Sequence, residues 1–276
     1  MNKKIGFIFA LVLVSLLMLG TASAGFFDFL GGNNSNQTAN DNSTFIVGFD
    51  AEFPPYGFKD NSGNYTGFDL DLAKEVCARN NWTFKAQPID WAAKDAELDS
   101  GSIDCIWNGF TIDGRENDYL WSNPYFDNKQ IFVVKENGGI NSIDDLKGKV
   151  VETQKDSSAL AALEGSNKTI KDSFKQLTQV ADYNTAFMDL ESGVCDAVAM
   201  DIGVAQYDIA NKNNTTTNFK ILDQYITTEK YGVGFKKGNT QLKNQVQATL
   251  DEMFKDGTVV KIAEKYGISK DALIQP

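Results

Sequence analysis

The stretch DCIWNGFTIDGRE, residues 104–116, sets an apolar run, Cys105-Ile106-Trp107, against small polar groups and then a lone arginine. Arg115 is a permanent planar cation whose fork of donors can grip a carboxylate with two parallel hydrogen bonds. Thr111 and the backbone N–H groups near Gly109 could donate to the same anion, and Gly109 has no side chain to keep a ligand off the backbone. The bare sequence also allows an exposed arginine paired with Glu116 or Asp118, the commoner fate of arginine. Asp201 follows the strand-like run DAVAM and could meet an ammonium group; it could equally cap the segment after it. Ser157 and Ser158 stand at the start of a helical pattern after GKVVETQKD. There, free N–H groups and the helix dipole favour an anionic or oxygen-bearing group, unless the serines are ordinary caps. Phe53, Tyr56 and Trp91 lie in polar, turn-like surroundings where an aromatic can wall a pocket. Asp50, ending the first apolar run, offers one more acceptor. A cation for a carboxylate, a carboxylate for an ammonium and aromatic walls together describe a site for a zwitterion, which suggests a free amino acid.

Those residues need elements to hold them. Phe45-Ile46-Val47-Gly48-Phe49 reads as a buried strand. Asp69 precedes the helical pattern Leu72, Ala73, Val76, Cys77 as a candidate N-cap. Thr83 to Ala86 reads as a strand, and Ala92 to Leu98 as a helix ended by Ser100-Gly101. This alternation predicts a mostly parallel α/β sheet. An internal echo links LDSGSIDCI (98–106) to LESGVCDAV (190–198): a helix ends at Ser-Gly and a strand follows an aspartate. Asn108 and Asp201 then fall at equivalent strand ends. Two similar α/β lobes follow, with ligands outside the carboxyl ends of the strands.

Bulk properties narrow the classes. The 276 residues can form two modest domains or one large one, and 42% hydrophobic content with 19 Phe supports a core. A net charge of −11 with no long basic run argues against a nucleic-acid partner. The chain has no histidine, which removes His-dependent triads and His-ligated zinc; no cofactor is expected. Residues 1–24 have two lysines, an apolar run and Ala22-Ser23-Ala24, the pattern of a cleaved secretory signal, with an uncleaved N-terminal anchor as the alternative. The body is therefore expected outside the cytoplasm. No cysteine follows the apolar run to carry a lipid. Residues 25–43 include the polar, low-complexity GGNNSNQTANDNS and read as a flexible linker. Sequons stand at Asn33, Asn36, Asn42, Asn64, Asn81, Asn167, Asn213 and Asn214. Three cysteines cannot all pair within one chain. Cys77, Cys105 and Cys195 read as small buried hydrophobes, with a Cys77–Cys105 bridge left open.

The ordered set FDAEFPPYGFKDNSGNYTGFDLDLAKEV, DCIWNGFTIDGRE, WSNPYFDN, LKGKVVETQKDSSA, CDAVAMD, YGVGFKKGN and LDEMFKDGTVVKIAEKYG, covering about Phe45 to Ile268, resembles the family 3 solute-binding proteins of polar-amino-acid ABC transporters. The resemblance implies a type II periplasmic-binding-protein-like fold: lobe 1 from 44–129 plus 231–276, lobe 2 from 130–230. Two hinge strands would cross, near Gln130-Ile131-Phe132 and Tyr231-Gly232. It assigns Arg115 to the ligand carboxylate with Thr111 and the Asn108–Gly109 backbone, and Asp201 to the α-ammonium. Phe53 and Trp91 would sandwich the ligand side chain, Ser157 and Ser158 would close over the carboxylate, and Gln154 would read the side chain. Two departures stand out. The span between Thr111 and Arg115 is one residue shorter than the commonest pattern, and Asp156 replaces a usual glycine.

The expected function is capture of a free L-amino acid by hinge closure and delivery to a membrane ABC permease by a monomeric protein that is not an enzyme. A dehydratase on the same fold is one alternative; without histidine its acid would be Asp50, Glu52 or Asp201. A ligand-sensing module for a signalling partner is another. Asp50 and Glu52 suit a cationic side chain, whereas Gln154 permits a neutral polar one.

Overall fold

The computed structural model describes residues 43–212 and 217–275. The signal segment, the linker up to residue 42 and the sequons at Asn33, Asn36, Asn42, Asn213 and Asn214 lie outside the described residues. Strand β1 (Thr44–Phe49) is followed by a small meander, β2 (Glu52–Phe53), β3 (Gly57–Lys59) and β4 (Tyr65–Thr66). Next come α1 (Phe68–Asn80), β5 (Thr83–Pro88), a 3₁₀ turn at Trp91–Ala93, α2 (Lys94–Ser100), β6 (Cys105–Ile106) and β7 (Leu120–Trp121). The long β8 (Phe126–Lys135) leads to β9 (Val150–Gln154), α3 (Ser158–Glu164), α4 (Lys168–Ser173), β10 (Gln176–Val180), α5 (Tyr183–Ser192), β11 (Ala197–Asp201) and α6 (Ile202–Lys212). A second long strand, β12 (Phe219–Tyr231), returns to β13 (Gly234–Phe235), α7 (Thr240–Lys255) and α8 (Thr258–Lys265).

Two five-stranded sheets result, ordered β5-β1-β6-β13-β7 and β10-β9-β11-β8-β12. In each, the first three strands run parallel and the rest join antiparallel. Helices pack on the parallel strands, so β1 and β11 are buried nearly throughout, as both-face coverage requires. The sequence echo has a structural cause. Both helices end at a left-handed glycine, Gly101 and Gly193. Both following aspartates then tie down the start of the neighbouring strand: Ile46 N donates to Asp104 Oδ2 (2.7 Å), and Val150 N to Asp196 Oδ2 (2.8 Å). Each lobe thus holds its central strands by the same aspartate device.

The lobes are joined by β8 and β12, which pair antiparallel from Phe219 opposite Lys135 to Tyr231 opposite Phe126. β8 enters the second sheet at Gln130, opposite Asp201, while Phe126 bridges Leu273 on the first lobe's side. Around this crossing Phe126 and Tyr231 stack at 5.4 Å, and Tyr56 meets both edge-on. Tyr56 is 1% exposed and packs in the core; it does not line the cavity that takes Phe53 and Trp91, the companions its turn-like neighbours had suggested. Asp69 also departs from expectation. Gly67 holds the N-cap position of α1, and Asp69 sits within its first turn. Its buried carboxylate accepts from Gly109 N (2.6 Å) and from Tyr125 Oη (2.8 Å), pinning the tip beyond β6. The three cysteines are free and buried. Among the described residues no helix is long and apolar enough to cross a membrane.

Candidate functional site

All eleven residues singled out from the sequence line one cavity between the carboxyl ends of the two sheets, with about 290 Å³ of atom-free space, part of it open to solvent. The first lobe supplies Asp50, Phe53, Trp91, Asn108, Gly109, Thr111 and Arg115; the second supplies Gln154, Ser157, Ser158 and Asp201. Every one except Gly109, Arg115 and Ser158 has a side chain counted among the buried aromatic or polar groups.

Arg115 follows a turn after Thr111. Its Nη1 donates to the Thr111 carbonyl (3.4 Å), its Nη2 to the Asp156 carbonyl on the other lobe (3.2 Å), and its guanidinium stands 5.4 Å from the Phe110 ring. Among the described residues no carboxylate lies within ion-pair distance of it, so neither Glu116 nor Asp118 neutralises it. Thr111 bridges Tyr231, and the flanking bonds Ile112 N to Lys230 O and Gly232 N to Phe110 O turn the Thr111 N–H away from β12. The Gly109 N–H is taken by Asp69, so the backbone donor expected there is already committed and Thr111 is the better placed one. Gly109 itself has φ 53°, and a Cβ on it would fall 2.8 Å from the Phe53 ring; only glycine fits that turn against that wall.

Asp50 accepts from Glu52 N (2.8 Å) and, across the cleft, from Gln154 Nε2 (2.6 Å), while its own N–H donates to Asn108 Oδ1 (2.9 Å). Burial pushes its carboxyl up to about 6, against the lowering effect of those bonds. Phe53 and Trp91 are 6% and 8% exposed and reach the cavity from β2 and the 3₁₀ turn. Ser157 is the N-cap of α3, accepting from Leu160 N (3.1 Å), so the capping reading also holds. Ser158 Oγ takes bonds from Thr111 Oγ1 (3.3 Å) and Gln130 Nε2 (2.8 Å), one from each lobe's side of the cleft. Asp156 adopts φ 60°, the left-handed region a glycine would fill, and its side chain ion-pairs with Lys94 of the opposite lobe.

Asp201 ends β11 directly before α6. Three donors converge on its Oδ1: Asn128 Nδ2 (2.7 Å), Gln130 Nε2 (2.8 Å) and Tyr231 Oη (2.5 Å). Burial first, then the Glu229 charge, push its carboxyl up to about 8. Asn128 and Glu229 escaped the sequence reading, and Gln130 and Tyr231 were read only as hinge positions. Their signal was present: Asn128 and Gln130 share one face of β8, and Glu229 and Tyr231 one face of β12, at the period of two that a strand imposes. Among the described residues no group of three histidine, cysteine or acidic side chains could hold a metal ion.

Known proteins similar to this chain show its family. The model for bacterial extracellular solute-binding proteins, family 3, matches residues 45–269, and the chain belongs to that family. It is 31% identical over 232 residues to the L-cystine-binding protein TcyJ of Escherichia coli, covering 81% of this chain and 82% of that protein. A Streptococcus pneumoniae ABC uptake transporter substrate-binding protein solved with bound histidine superposes with TM-score 0.80 at 33% identity, over 85% of this chain and 96% of that one. An ancestral arginine-binding protein bound to glutamine gives TM-score 0.74 at 36% identity, over 81% and 97%. The fold is the two-lobe type II periplasmic-binding-protein fold.

Proposed function

We propose that this protein captures a free, polar L-amino acid outside the cytoplasm and presents it to a membrane ABC permease. Lobe 1 (44–129 plus 231–276) would close on lobe 2 (130–230) about the β8–β12 crossing. The observation that carries this reading is that an unneutralised cation, Arg115, and a buried carboxylate, Asp201, line one cavity from opposite lobes. Arg115 and the Thr111 N–H and hydroxyl take the α-carboxylate. Asp201 takes the α-ammonium, and Phe53 and Trp91 flank the side chain. Asp50 and Gln154, already hydrogen-bonded to each other, form a polar end that suits an amide, imidazole or guanidinium. That range agrees with relatives named for histidine, arginine and glutamine binding. Ligand contacts to both lobes form only on closure, so binding shifts the population to the closed state. Secretion through residues 1–24, cleaved or retained as an anchor, and action as a monomer complete the proposal.

The test is a thermal-shift screen of the twenty amino acids. A true ligand at a hundredfold excess over its Kd stabilises by about 2.7 kcal/mol and raises the melting point by several degrees. A flat response to all twenty would remove the amino-acid reading.

A further inference from the structure

Asp201 does not stand alone behind the cavity. Glu229, on β12, is buried to the same 4% exposure. The same two amide nitrogens hold both carboxylates. Asn128 Nδ2 lies 2.7 Å from Asp201 Oδ1 and 2.7 Å from Glu229 Oε1. Gln130 Nε2 lies 2.8 Å from Asp201 Oδ1 and 2.7 Å from Glu229 Oε1. Tyr231 Oη adds a bond to Asp201 and Ser158 Oγ one to Glu229, at 2.5 and 3.2 Å. Two carboxylates sharing two donor atoms are close neighbours, and every one of those donors is neutral. Among the described residues no lysine or arginine ion-pairs with either.

The surroundings supply no hidden cation. Tyr56, between β2 and β3, and Tyr183, opening α5, face Asp201 as buried phenols, both pushed up by burial and then by the Asp201 charge. Both therefore stay neutral. Asp69, from α1, adds further negative charge beyond Tyr56. Arg115 lines the same cavity, engaged with the Thr111 and Asp156 carbonyls. Two like charges buried this close, held only by neutral donors, are expensive. The cost is relieved by a proton on Asp201 or by an incoming cation.

We propose that Asp201, with Glu229 directly behind it on the same two amide donors, forms an ammonium subsite that holds a proton on Asp201 in the free protein and releases it to solvent when the ligand's α-ammonium docks. The inference rests on the amino-acid reading of the cavity. No bond other than the O–H is broken: the ammonium takes the place of the proton, and the buffer accepts the proton. Burial and the Glu229 charge holding the Asp201 carboxyl up to about 8 set the window. Below that pH, binding must expel the proton, so affinity rises with pH by up to about tenfold per unit. Above it Asp201 is already ionised and this dependence vanishes.

The experiment is calorimetric titration of the full chain with whichever of the twenty amino acids gives the largest thermal shift. It is run at pH 6.5 and pH 9 in paired buffers of small and large ionisation enthalpy, for wild type and Glu229→Gln. Wild type is expected to release close to one proton at pH 6.5 and much less at pH 9, with the variant's release at pH 6.5 clearly smaller. Comparing wild type with the variant cancels protons that belong to the ligand. Binding with no release from wild type at pH 6.5, or equal release from the variant, overturns the proposal and leaves the amino-acid reading intact. If the variant does not fold, the wild-type buffer dependence decides alone. Absence of binding by all twenty overturns both together.

Discussion

Arg115 reaches the cleft already oriented, with two carbonyls and the Phe110 face fixing its plane. In the proposed function a ligand carboxylate would meet a cation whose plane these contacts fix once the lobes meet, the condition under which a charge-assisted bond contributes most. Arg115→Ala should weaken binding at least about a hundredfold, about 2.8 kcal/mol, because the ligand carboxylate would be buried without a partner; calorimetry showing near-wild-type affinity would remove Arg115 from the site. Asp50 makes a different prediction. Its carboxyl faces Gln154 across the cleft, so Asp50→Asn should cost a guanidinium ligand about tenfold or more and a glutamine ligand little. Competition between arginine and glutamine for each variant measures the difference. The tip residues were legible in the sequence because Asn108 and Asp201 follow short apolar runs, and polarity there marks a strand leaving the core. Glu229, Asn128 and Gln130 were not. A polar residue at every second position reads as a solvated face. Pairing of β8 with β12, about a hundred residues later in sequence, lines these groups up on one face, and the first lobe's Tyr56, packed on Tyr231, helps cover it. Asp69 was misread for the same reason: its partner Gly109 lies 40 positions away, and a local pattern can announce only a local cap.

Closure depends on elements meeting across the cleft, and two contacts show how. Lys94 opens α2 with its side chain 2% exposed, and its ion-pair partner, Asp156, comes from the turn between β9 and α3 of the other lobe. A buried lysine needs its partner, so the pair acts as a latch present only when the lobes meet. Asp156 is half exposed, which screens the attraction. Lys94→Met and Asp156→Asn should each weaken ligand binding about three- to tenfold. The double variant should lose less than the sum, and coupling absent from that cycle would discard the latch. The second contact is Gly203, on α6. A Cβ there would stand 2.3 Å from the hydroxyl of Tyr56, which the aromatic stack at the crossing holds still. Gly203→Ala should leave the ligand-free protein as stable or up to about 1 kcal/mol more so, from helix propensity. Ligand affinity should fall at least about tenfold, since the lobes can no longer close fully. Both lobes were legible as elements because the two Ser-Gly helix ends and their aspartates repeat. Neither latch nor contact was, since each joins segments with no common pattern.

Over the whole molecule the buried acids set how stability follows pH. Asp50 is held up to about 6 and Asp69 up to about 7, each chiefly by burial, and Asp201 higher still. A carboxyl that keeps its proton longer when folded than when unfolded stabilises the fold below the unfolded value near 3.8. That contribution is lost as pH rises through the folded value. Salt-bridged Asp71 and Asp256 shift the other way, and their contribution is complete above about pH 5. Ligand-free stability should therefore decline between about pH 5 and pH 8, and urea unfolding across that range tests the sign. Stability that climbs over the same interval would mean these carboxyls ionise freely inside the fold. Saturating ligand should flatten the decline, because the ammonium compensates the Asp201 charge.

Cys77, Cys105 and Cys195 are sealed in the interior as free thiols, with burial pushing Cys77 and Cys195 up to about 12 and Cys105 well above its ordinary value. A thiol that neither meets solvent nor ionises is inert to maleimide. A chain secreted into an oxidising compartment can then mature without a disulfide to form or misform. The native protein should therefore be dark to thiol labelling, so one cysteine introduced on each lobe would carry the whole fluorescence signal and let single molecules report opening and closing in real time.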